Sequence, residues 1–292
     1  MIDVSFIIIN YNTKDITSEC INSVIKYTTG ITFEVILVDN ASTDGSKEIF
    51  EIDNRIKYIY ENTNHGFGIA NNIGVANAKG EYVFLLNSDT LLHEDSCKIL
   101  CDMLKAMPEV GVIGPILVDE KGVNNGSYYD FRNCNPFKRI CYRIRRKKIL
   151  KEIESNFIEN GYIYTGYVSG AAMMMRRDIF NKIGGFDPDF FMYYEEQDLQ
   201  RRVANLGLKR ISTNKTKIYH IHGYSTNGCL PAQKIRLRQK SLHLYGTKHF
   251  KGVRFFLFCT LNLIGFVYYL FSNNYTLKDR LSLIKDELLG YR

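Results

Sequence analysis

The feature that most constrains the fold of this chain is an alternation of short apolar runs with segments of helical spacing. The runs are Val4–Asn10, Glu34–Asp39 and Tyr82–Leu86, and between the first two lies Asp15–Tyr27, whose apolar residues recur at helical spacing. Continuous apolar runs of this length are typical of strands that are covered on both faces, as in a parallel sheet. Strands that alternate with helices indicate a βαβ domain of the α/β class.

The same pattern continues through most of the chain. It predicts helices over Gly45–Ile52, Gly68–Ala78 and Glu196–Leu206, a strand over Val168–Arg176 and a turn over Gly184–Asp189. Gly80 lies where a C′ glycine would follow the end of the second of these helices. The length of 292 residues and the apolar fraction of 45% are those of a globular protein whose core needs no disulfides.

Charge is distributed unevenly along the chain. Residues 1–130 carry 9 Lys or Arg and 19 Asp or Glu, whereas residues 131–292 carry 29 and 12, so the net charge of +7 is the sum of −10 and +17. Eight of the basic residues lie within Lys138–Lys151. A basic half indicates an anionic partner, and a membrane surface or a phosphorylated ligand is favoured over nucleic acid because no nucleic-acid-binding motif accompanies the charge.

The basic half also contains an uncharged apolar segment. Phe255–Phe271 has no charged residue in 17 positions, and basic residues flank it on both sides. A spanning helix requires about 20 apolar residues, and Thr260, Asn262 and Gly265 interrupt this one. An interfacial helix, a membrane span and a buried packing helix all stay open, and the basic flanks favour contact with an anionic membrane surface.

Polar side chains follow each of the three apolar runs. The tips are Asn10, Tyr11 and Asn12 after the first run, Asp39 and Asn40 after the second, and Asn87, Ser88 and Asp89 after the third. Because ligands bind beyond the carboxyl ends of strands in open parallel sheets, we expect the tips to face one site. An Asp there can accept from a base N–H or a ribose hydroxyl, or hold a divalent cation on a diphosphate, with a helix cap or turn as the alternative role.

Other nucleotide-binding classes fit the sequence poorly. Gly66-Phe67-Gly68 begins like a dinucleotide fingerprint, but Asn71 stands at its third glycine position and the segment follows the second βα unit rather than the first. The chain has no GxxxxGK(S/T) motif, which excludes a P-loop. A sugar-nucleotide nucleotidyltransferase is disfavoured because Ile9–Lys14 is not a glycine-rich basic loop.

Five segments carry a specific resemblance to a known family. They are VSFIIINYNT, EVILVDNASTDGS, NHGFGIANNIGVANAKGEYVFLLNSDT, SGAAMMMRRDIF and GGFDPDFFMYYEEQDL, within residues 3–226. In this order and spacing they resemble glycosyltransferase family 2, in its rhamnosyltransferase-like branch of polysaccharide assembly enzymes. The resemblance implies a GT-A fold, with a Rossmann-like mixed, mostly parallel sheet flanked by helices. We therefore expect a GT-A domain over 1–230, a basic insertion at 131–165 and a helical, membrane-associating extension over 231–292.

The resemblance implies roles for the polar tips. Asp39 matches the Asp that contacts the nucleotide base, Tyr11 and Asn12 match the loop around that base, and Asn71, Asn87 and Ser88 complete the expected nucleotide-binding set. Asn87-Ser88-Asp89 occupies the family's DXD position, where the last Asp holds Mg²⁺ or Mn²⁺ on the diphosphate. Here Asn87 replaces the first Asp, so Asp89 is the main expected carboxylate ligand. His220, with His222 as a nearby competitor, matches a family histidine that completes the metal or diphosphate contacts.

The resemblance also implies a catalytic acidic motif at residues 194–198. Glu196 falls at the position of the general base, and Glu195 and Asp198 are the competing candidates. A structural alternative exists for all three, because acidic residues in the first turn of a helix are favoured by its dipole. Inverting glycosyl transfer needs a base on the acceptor hydroxyl and a cation on the leaving diphosphate, and the two acidic clusters supply both.

We expect an inverting, metal-dependent hexosyltransferase that moves a sugar from dTDP-rhamnose or a UDP-hexose to a saccharide acceptor, lipid-linked, in cell-surface polysaccharide assembly. The alternative is a non-catalytic, membrane-associated scaffold with a degenerate GT-A fold, which Asn87 motivates. The 7 Cys lack zinc-ligand spacing and are typical of thiols in a reducing compartment. We therefore expect a cytoplasmic protein bound peripherally at the inner face of the cell membrane, with no nucleic acid partner.

Overall fold

Strands and helices alternate along the first half of the chain in the computed structural model, which describes residues 2–124, 126–129, 151–221, 231–270 and 284–285. The strands are β1 (Val4–Asn10), β2 (Phe33–Asn40), β3 (Lys57–Glu61), β4 (Tyr82–Asn87), β5 (Thr90–Leu92), β6 (Val110–Val118), β7 (Tyr128–Tyr129), β8 (Tyr162–Tyr164), β9 (Tyr167–Val168), β10 (Ala172–Arg176) and β11 (Lys209–His220). The helices are α1 (Lys14–Tyr27), α2 (Ser46–Phe50), α3 (Phe67–Ala76), α4 (Ser96–Ala106), α5 (151–160), α6 (Arg177–Lys182), α7 (Glu195–Asn205), α8 (Pro231–His249) and α9 (Val253–Leu270).

One large mixed sheet organises the described residues. Its strand order is β3-β2-β1-β4-β10-β6-β11-β5, and β8 pairs with β11 beside this path. The β1, β2, β3 and β4 strands run parallel to one another, as do β6 and β11, while β10 is antiparallel to both of its neighbours. The longest ladders are the parallel ones, so the fold is the mixed, mostly parallel α/β sheet that the family resemblance implied.

Two apolar cores cover the two faces of this sheet. Phe6 and Ile8 of β1 pack with side chains of α1 and α4, whereas Ile7 packs on the opposite face with side chains of α3 and α7. Successive residues of a strand point to opposite faces, so a strand that is buried on both faces needs apolar residues at every position. This explains the continuous apolar runs of the sequence.

Two details of the predicted elements are wrong. Val168–Arg176 is not one strand, because residues 169–171 separate β9 from β10. Gly80 is not a C′ glycine, because α3 ends at Ala76 with Asn77 as its C-cap. A Cβ at Gly80 would lie 2.5 Å from Ser5 N, so this glycine allows the close approach of the chain to β1.

Three stretches on which predictions fall lie outside the described residues: 130–150, which holds most of the predicted insertion, 222–230 with His222, and 271–283 with 286–292 in the predicted extension. The rest of the insertion contains α5 and β8, and β8 pairs antiparallel to β11. In the extension, α9 packs on α8 through Phe258, whose Cε1 would lie 2.3 Å from a Cβ at Gly246 of α8. Within the described ranges, no helix combines the length with the apolar character that crossing a membrane requires.

Candidate active site

The carboxyl ends of three parallel strands meet at one edge of the sheet, as the polar tips predict. In the β1–β2 ladder Asn10 lies opposite Asp39, and in the β1–β4 ladder Ile9 lies opposite Asn87. The three tips therefore end at the same level, side by side. Ligands bind at this edge in open α/β sheets, which makes it the first candidate for a site.

A buried hydrogen-bond network centred on Asn10 joins the three tips. The Asn10 amide donates to Ser42 Oγ at 3.0 Å and to Ser46 Oγ at 2.8 Å, both after β2. Asn10 Oδ1 accepts from Thr13 Oγ1 at 2.9 Å, and Thr13 Oγ1 lies 3.2 Å from Ser88 Oγ. Because these buried groups satisfy one another, the network favours a single arrangement of the tips.

Asp39, the predicted contact for a nucleotide base, is fully buried at the end of β2. Its Oδ1 accepts from Ser42 N at 2.8 Å, and its Oδ2 accepts from Tyr58 Oη at 2.9 Å. These bonds hold the loop that follows β2, while Tyr11 and Asn12 lie exposed in the loop after β1. The structural role of Asp39 in holding the loop after β2 is observed, whereas its contact with a nucleotide base stays a prediction.

Asn71, another predicted nucleotide contact, is engaged within α3. Its Nδ2 donates to Phe67 O at 2.9 Å, one turn back along the same helix, and the residue is 1% exposed. The neighbouring Asn72 clamps a distant segment, since its Nδ2 donates to Phe186 O and its Oδ1 accepts from Phe186 N, each at 2.8 Å. Sequence reasoning named Asn71 and missed Asn72, because adjacent amides in one helix look alike until their partners are known. A nucleotide contact at Asn71 stays a prediction.

Backbone strain is concentrated at the same edge. In the described ranges, the non-glycine residues with positive φ are Asn12, Ala41, Tyr193 and Tyr194, with φ of 53°, 70°, 69° and 69°. The first two follow β1 and β2, and the last two directly precede α7. Left-handed backbone costs a non-glycine residue about 1–2 kcal/mol, and such strain clusters at functional sites.

At the third tip, Asn87 carries a buried polar atom that lacks a partner. Its N–H donates to Ala171 O at 2.9 Å, which ties the end of β4 to the start of β10. Its Oδ1 is buried and has no hydrogen-bond partner among the described residues. An unsatisfied buried acceptor is costly, so this oxygen indicates a place where a donor or a cation binds.

Asp89 and His220, the predicted metal ligands, are brought together by the pairing of β5 with β11. His220 lies opposite Thr90 in that ladder, and Asp89 O accepts from Ile221 N at 2.9 Å. His220 Nε2 approaches Asp89 Oδ1 to 3.3 Å, and both residues are buried. The sheet therefore joins two side chains that are far apart in the sequence.

The donor set at this tip fits a hard divalent cation such as Mg²⁺ or Mn²⁺. It comprises a carboxylate, an imidazole and the unpartnered oxygen of Asn87. Across the described part of the chain, no cluster of three or more His, Cys, Asp or Glu side chains is suited to a metal. Mg²⁺ is commonly held by one or two carboxylates together with substrate phosphates and waters, so these residues suit a cation that is shared with a diphosphate.

The three candidate carboxylates, Glu195, Glu196 and Asp198, share the first turn of α7 but face different surroundings. A Cβ at Gly68 of α3 would lie 3.8 Å from Glu195 Cβ. A Cβ at Gly170 would lie 3.4 Å from Glu196 Cβ. Asp198 instead contacts α8, so the acidic motif divides into three environments.

Asp198 is engaged by two basic side chains and is 2% exposed. Arg202 donates to its Oδ2 from Nε at 2.8 Å and from Nη2 at 2.6 Å, and His249 Nε2 donates to its Oδ1 at 2.7 Å. Burial raises the pKa of Asp198, but the hydrogen bond from His249 and the charge of Arg202 outweigh it and hold that pKa below its ordinary value. Asp198 is therefore a structural anchor and a poor general base.

Glu195 and Glu196 have the opposite electrostatic environment. Burial and the charge of Glu196 raise the pKa of Glu195 well above its ordinary value, and burial also raises the pKa of Glu196. The Oε2 atom of each is buried and lacks a hydrogen-bond partner within the described ranges. A carboxyl that binds a proton more tightly than in water is better matched to taking a proton from a substrate.

Glu196 is the member of this pair that lies next to the third strand tip. Its Cβ and Cγ would lie 3.4 and 3.6 Å from a Cβ at Gly170. The next residue, Ala171, accepts the hydrogen bond from Asn87 N at 2.9 Å. This series of contacts connects Glu196 to the strand end that leads directly into Asp89.

Sequence reasoning missed the residues that fix α7 in place. Arg202 donates from Nη1 to Ile183 O and to Gly185 O, both at 2.7 Å, in addition to its bonds with Asp198. Its position four residues after Asp198 on a helix was an available signal. His249 had none, because it is 51 residues from Asp198 and only the packing of α8 brings the two together.

The family assignment follows from a match over most of the sheet domain. Residues 5–184 match the model of "Glycosyl transferase family 2", which is more than half of the chain. The chain belongs to glycosyltransferase family 2. The β1, β2 and β4 tips lie inside the matched range, and α7 with its acidic motif follows it.

Similar members of glycosyltransferase family 2 support a glycosyltransferase activity. The N-acetylglucosaminyl-diphospho-decaprenol L-rhamnosyltransferase of Mycobacterium tuberculosis is 26% identical over 238 residues, which are 72% of this chain and 73% of that protein. Glycosyltransferase GlyG of Streptococcus pneumoniae serotype 4 is 31% identical over 130 residues, or 43% of each chain. The predicted transferase class and the rhamnosyltransferase-like resemblance are confirmed.

Solved structures confirm the fold of this glycosyltransferase family 2 member. GalNAc-T7 with UDP, GalNAc and Mn²⁺ superimposes with a TM-score of 0.57 at 16% identity, over 81% of this chain and 47% of that one. Staphylococcus aureus TarS superimposes with a TM-score of 0.58 at 16% identity, over 100% of this chain and 49% of that one. The chain thus spans about half the length of both, and at this identity the likeness shows the GT-A fold alone.

Proposed function

We propose that this chain is an inverting, metal-dependent glycosyltransferase that moves a sugar from a nucleotide-sugar donor to a saccharide acceptor. The observation that carries the proposal is the position of Glu196. Its side chain lies beside Gly170, and the next residue, Ala171, accepts a hydrogen bond from Asn87 at the tip of β4. Asp89, which is paired with His220, follows two residues after Asn87. A base and a diphosphate-binding group on one sheet edge are what inverting transfer requires.

Glu196 acts as the general base in this proposal. It takes the proton of the acceptor hydroxyl as that oxygen forms its bond to the anomeric carbon and the bond from this carbon to the diphosphate breaks. Its buried Oε2, unpartnered among the described residues, and its raised pKa support this role. Asp198 is a poor candidate because both of its oxygens accept from Arg202 or His249.

Asp89 and His220 are proposed to hold Mg²⁺ or Mn²⁺ on the donor, which is dTDP-rhamnose or a UDP-hexose. The ion, when bound, offsets the charge that develops on the leaving diphosphate. The buried Asn87 Oδ1 and the exposed loop at Tyr11 and Asn12 are proposed to face the nucleotide. The Mn²⁺ and UDP in the GalNAc-T7 structure support a divalent ion on a protein of this fold.

The acceptor is proposed to be a lipid-linked saccharide in cell-surface polysaccharide assembly. The Mycobacterium tuberculosis relative, whose name specifies a diphospho-decaprenol acceptor, supports this class. Helix α9 exposes Val253, Phe256 and Leu263, which are 75%, 68% and 47% exposed, near the exposed basic residues Lys251 and Arg254. This face suits peripheral binding to an anionic membrane, which we propose is the cytoplasmic face of the cell membrane.

The test is a screen of the purified chain against a panel of nucleotide sugars, with lipid-linked saccharide acceptors and Mg²⁺ or Mn²⁺. Nucleotide release and the glycosylated product are both measured. One donor is expected to be preferred, with activity lost on chelation. Glu196→Gln and Asp89→Ala are each expected to lower transfer by about 100-fold or more. Glu154→Gln, an exposed change on α5, is the matched control and is expected to leave transfer unchanged.

Nucleotide binding separates the two roles. Asp89→Ala is expected to abolish the enhancement of UDP or dTDP binding by Mn²⁺, whereas Glu196→Gln is expected to keep it. Near-normal transfer in both variants would contradict the proposed site. A wild type whose binding of UDP or dTDP is not enhanced by Mn²⁺, and that transfers to no acceptor, would instead favour a non-catalytic scaffold.

A further inference from the structure

A strained turn leads directly into the acidic motif. Tyr193 and Tyr194 both have φ of 69°, and α7 begins at the next residue, Glu195. Two consecutive left-handed residues that are not glycine are unfavourable on their own. Such a conformation persists only where the surrounding structure over-determines it, so the contacts of this turn decide where α7 begins.

Helix α8 of the C-terminal extension covers this turn. Ser241 Oγ donates to Met192 O at 2.7 Å, and the ring of Tyr245 packs against Tyr194 with 5.8 Å between centroids. Ser241 and Tyr245 are both buried and lie four residues apart, which puts them on one face of the helix. This face therefore fixes both the backbone and a side chain of the strained turn.

The last turn of α8 holds the chain on both sides of the strained turn. On the N-terminal side of the strained turn, Lys248 Nζ lies 2.7 Å from Asp187 Oδ2 and 2.6 Å from Asp189 Oδ2. After it, His249 Nε2 donates to Asp198 Oδ1 at 2.7 Å. The segment from 187 to 198 is thus fastened to α8 at its start, its middle and its end.

We propose that α8 is a positioning element for the transfer reaction, in which Ser241 and His249 hold the turn before α7 and so set the position of Glu196. The inference rests on the proposed role of Glu196 as the base. Because only Glu195 separates Glu196 from Tyr194, a shift of the turn also moves the carboxylate of Glu196. A displacement of about 1 Å at a reacting group is enough to cost about 100-fold in rate.

Two histidines of α8 provide a matched test. His249→Ala removes the hydrogen bond to Asp198, whereas His243→Ala removes an exposed ring whose partner is Phe255 of α9. His249→Ala is expected to lower kcat by about 10- to 100-fold with the donor KM unchanged, because the donor-binding tips are not in this contact. His243→Ala is expected to match the wild type, and His249→Gln, which keeps a side-chain N–H donor, is expected to restore most of kcat.

Amide hydrogen exchange gives a readout that does not depend on turnover. Faster exchange across residues 190–198 is expected in His249→Ala and in Ser241→Ala, and not in His243→Ala. Unchanged kcat and unchanged exchange in both positioning variants would overturn the inference. If His249→Ala fails to fold, Ser241→Ala, which deletes one oxygen atom, decides the question. A wild type without transferase activity would refute the proposed function, while exchange would still report whether α8 holds the turn.

Discussion

Three carboxyl groups within one helical turn are held in different protonation environments. The N-terminus of α7 favours negative charge at all of them, but burial opposes it. Arg202 and His249 both donate hydrogen bonds to Asp198, whereas the Oε2 atoms of Glu195 and Glu196 have no hydrogen-bond partner among the described residues. The result is one anchored carboxylate beside two carboxyls that bind protons tightly.

Replacing Glu195 by Gln is expected to stabilise the fold at alkaline pH. The pKa of the Glu195 carboxyl is raised on folding from its ordinary value of 4.5. Such a group leaves the free energy of unfolding unchanged below pH 4.5 and lowers that free energy as pH rises toward and through the pKa of the folded state. The free energy of unfolding of Glu195→Gln should therefore exceed that of the wild type by a margin that grows as pH rises above 4.5. Urea unfolding between about pH 4 and about pH 9 measures this margin. A margin that is constant with pH would contradict the prediction.

The basic residue Arg238 on α8 is expected to tune the pH profile of transfer. Burial raises the pKa of Glu196, and the positive charge of Arg238 partly opposes that rise. A general base is active when deprotonated, so kcat should rise with pH through the pKa of Glu196. Arg238→Ala should move this rise to higher pH, whereas Lys240→Ala, exposed on the same helix, should not. The pH dependence of kcat for the three proteins checks this, and equal shifts in both variants would contradict it.

At the scale of elements, the segment 186–194 is the junction at which α3, α7 and α8 meet. Asn72 of α3 bonds the backbone of Phe186 in both directions, and Phe67 N donates to Phe191 O at 3.0 Å. Helix α8 holds the same segment through Met192 O. The position of the acidic motif thus depends on two helices that are far apart in the sequence, α3 and α8.

Gly66 is expected to be required at this junction for two separable reasons. Its φ is +82°, and a Cβ there would lie 2.1 Å from Phe191 O, whereas Gly184 has φ of +79° with open space around it. Gly184→Ala should cost about 1–2 kcal/mol for the left-handed backbone alone. Gly66→Ala should cost clearly more, about 3 kcal/mol or above, because the ψ of 175° at Gly66 is essentially restricted to glycine and because the collision displaces the junction. Urea unfolding of both variants measures the difference, and equal losses would refute the collision.

At the scale of the whole molecule, charge and exposed apolar surface coincide in the C-terminal half. That half carries the net +17, and α9 exposes Phe256 and Val253 beside Lys251 and Arg254. An apolar helix face with basic residues near it is the arrangement of helices that lie in a membrane interface. Through α8, such a surface would adjoin the junction that holds the acidic motif.

Vesicle binding is expected to depend on this face. Phe256→Ser should weaken sedimentation with vesicles of about 30% anionic lipid by several-fold, since it removes a large exposed apolar side chain. Ile52→Ser, at a site 83% exposed and far along the chain, should not. Binding of the wild type should fall as salt is raised, because the attraction to anionic lipid is screened. Equal binding of both variants would contradict the assignment of the face.

Local sequence patterns were sufficient to predict part of the sheet and the edge at which the candidate site lies. The apolar runs predicted β1, β2 and β4 to within two residues, because strands covered on both faces need apolar residues at successive positions. Their polar tips also predicted the sheet edge at which Asn10 and Asp39 meet. The patterns did not indicate β3, β6 or β11, and an antiparallel β10 between β4 and β6 follows from tertiary pairing alone.

What the sequence by itself determined is the identity of the groups: an α/β sheet domain, polar residues at its strand tips, a DXD-like tip and an acidic motif. What only the tertiary structure decided is which partners surround each of these groups. Asp198 accepts a hydrogen bond from His249 of α8, the Oε2 atoms of Glu195 and Glu196 have no such donor among the described residues, and Asp89 meets His220 across the sheet. The physical reason is that apolar periodicity is a local property of the chain, whereas burial and ion pairing depend on residues that only packing brings together.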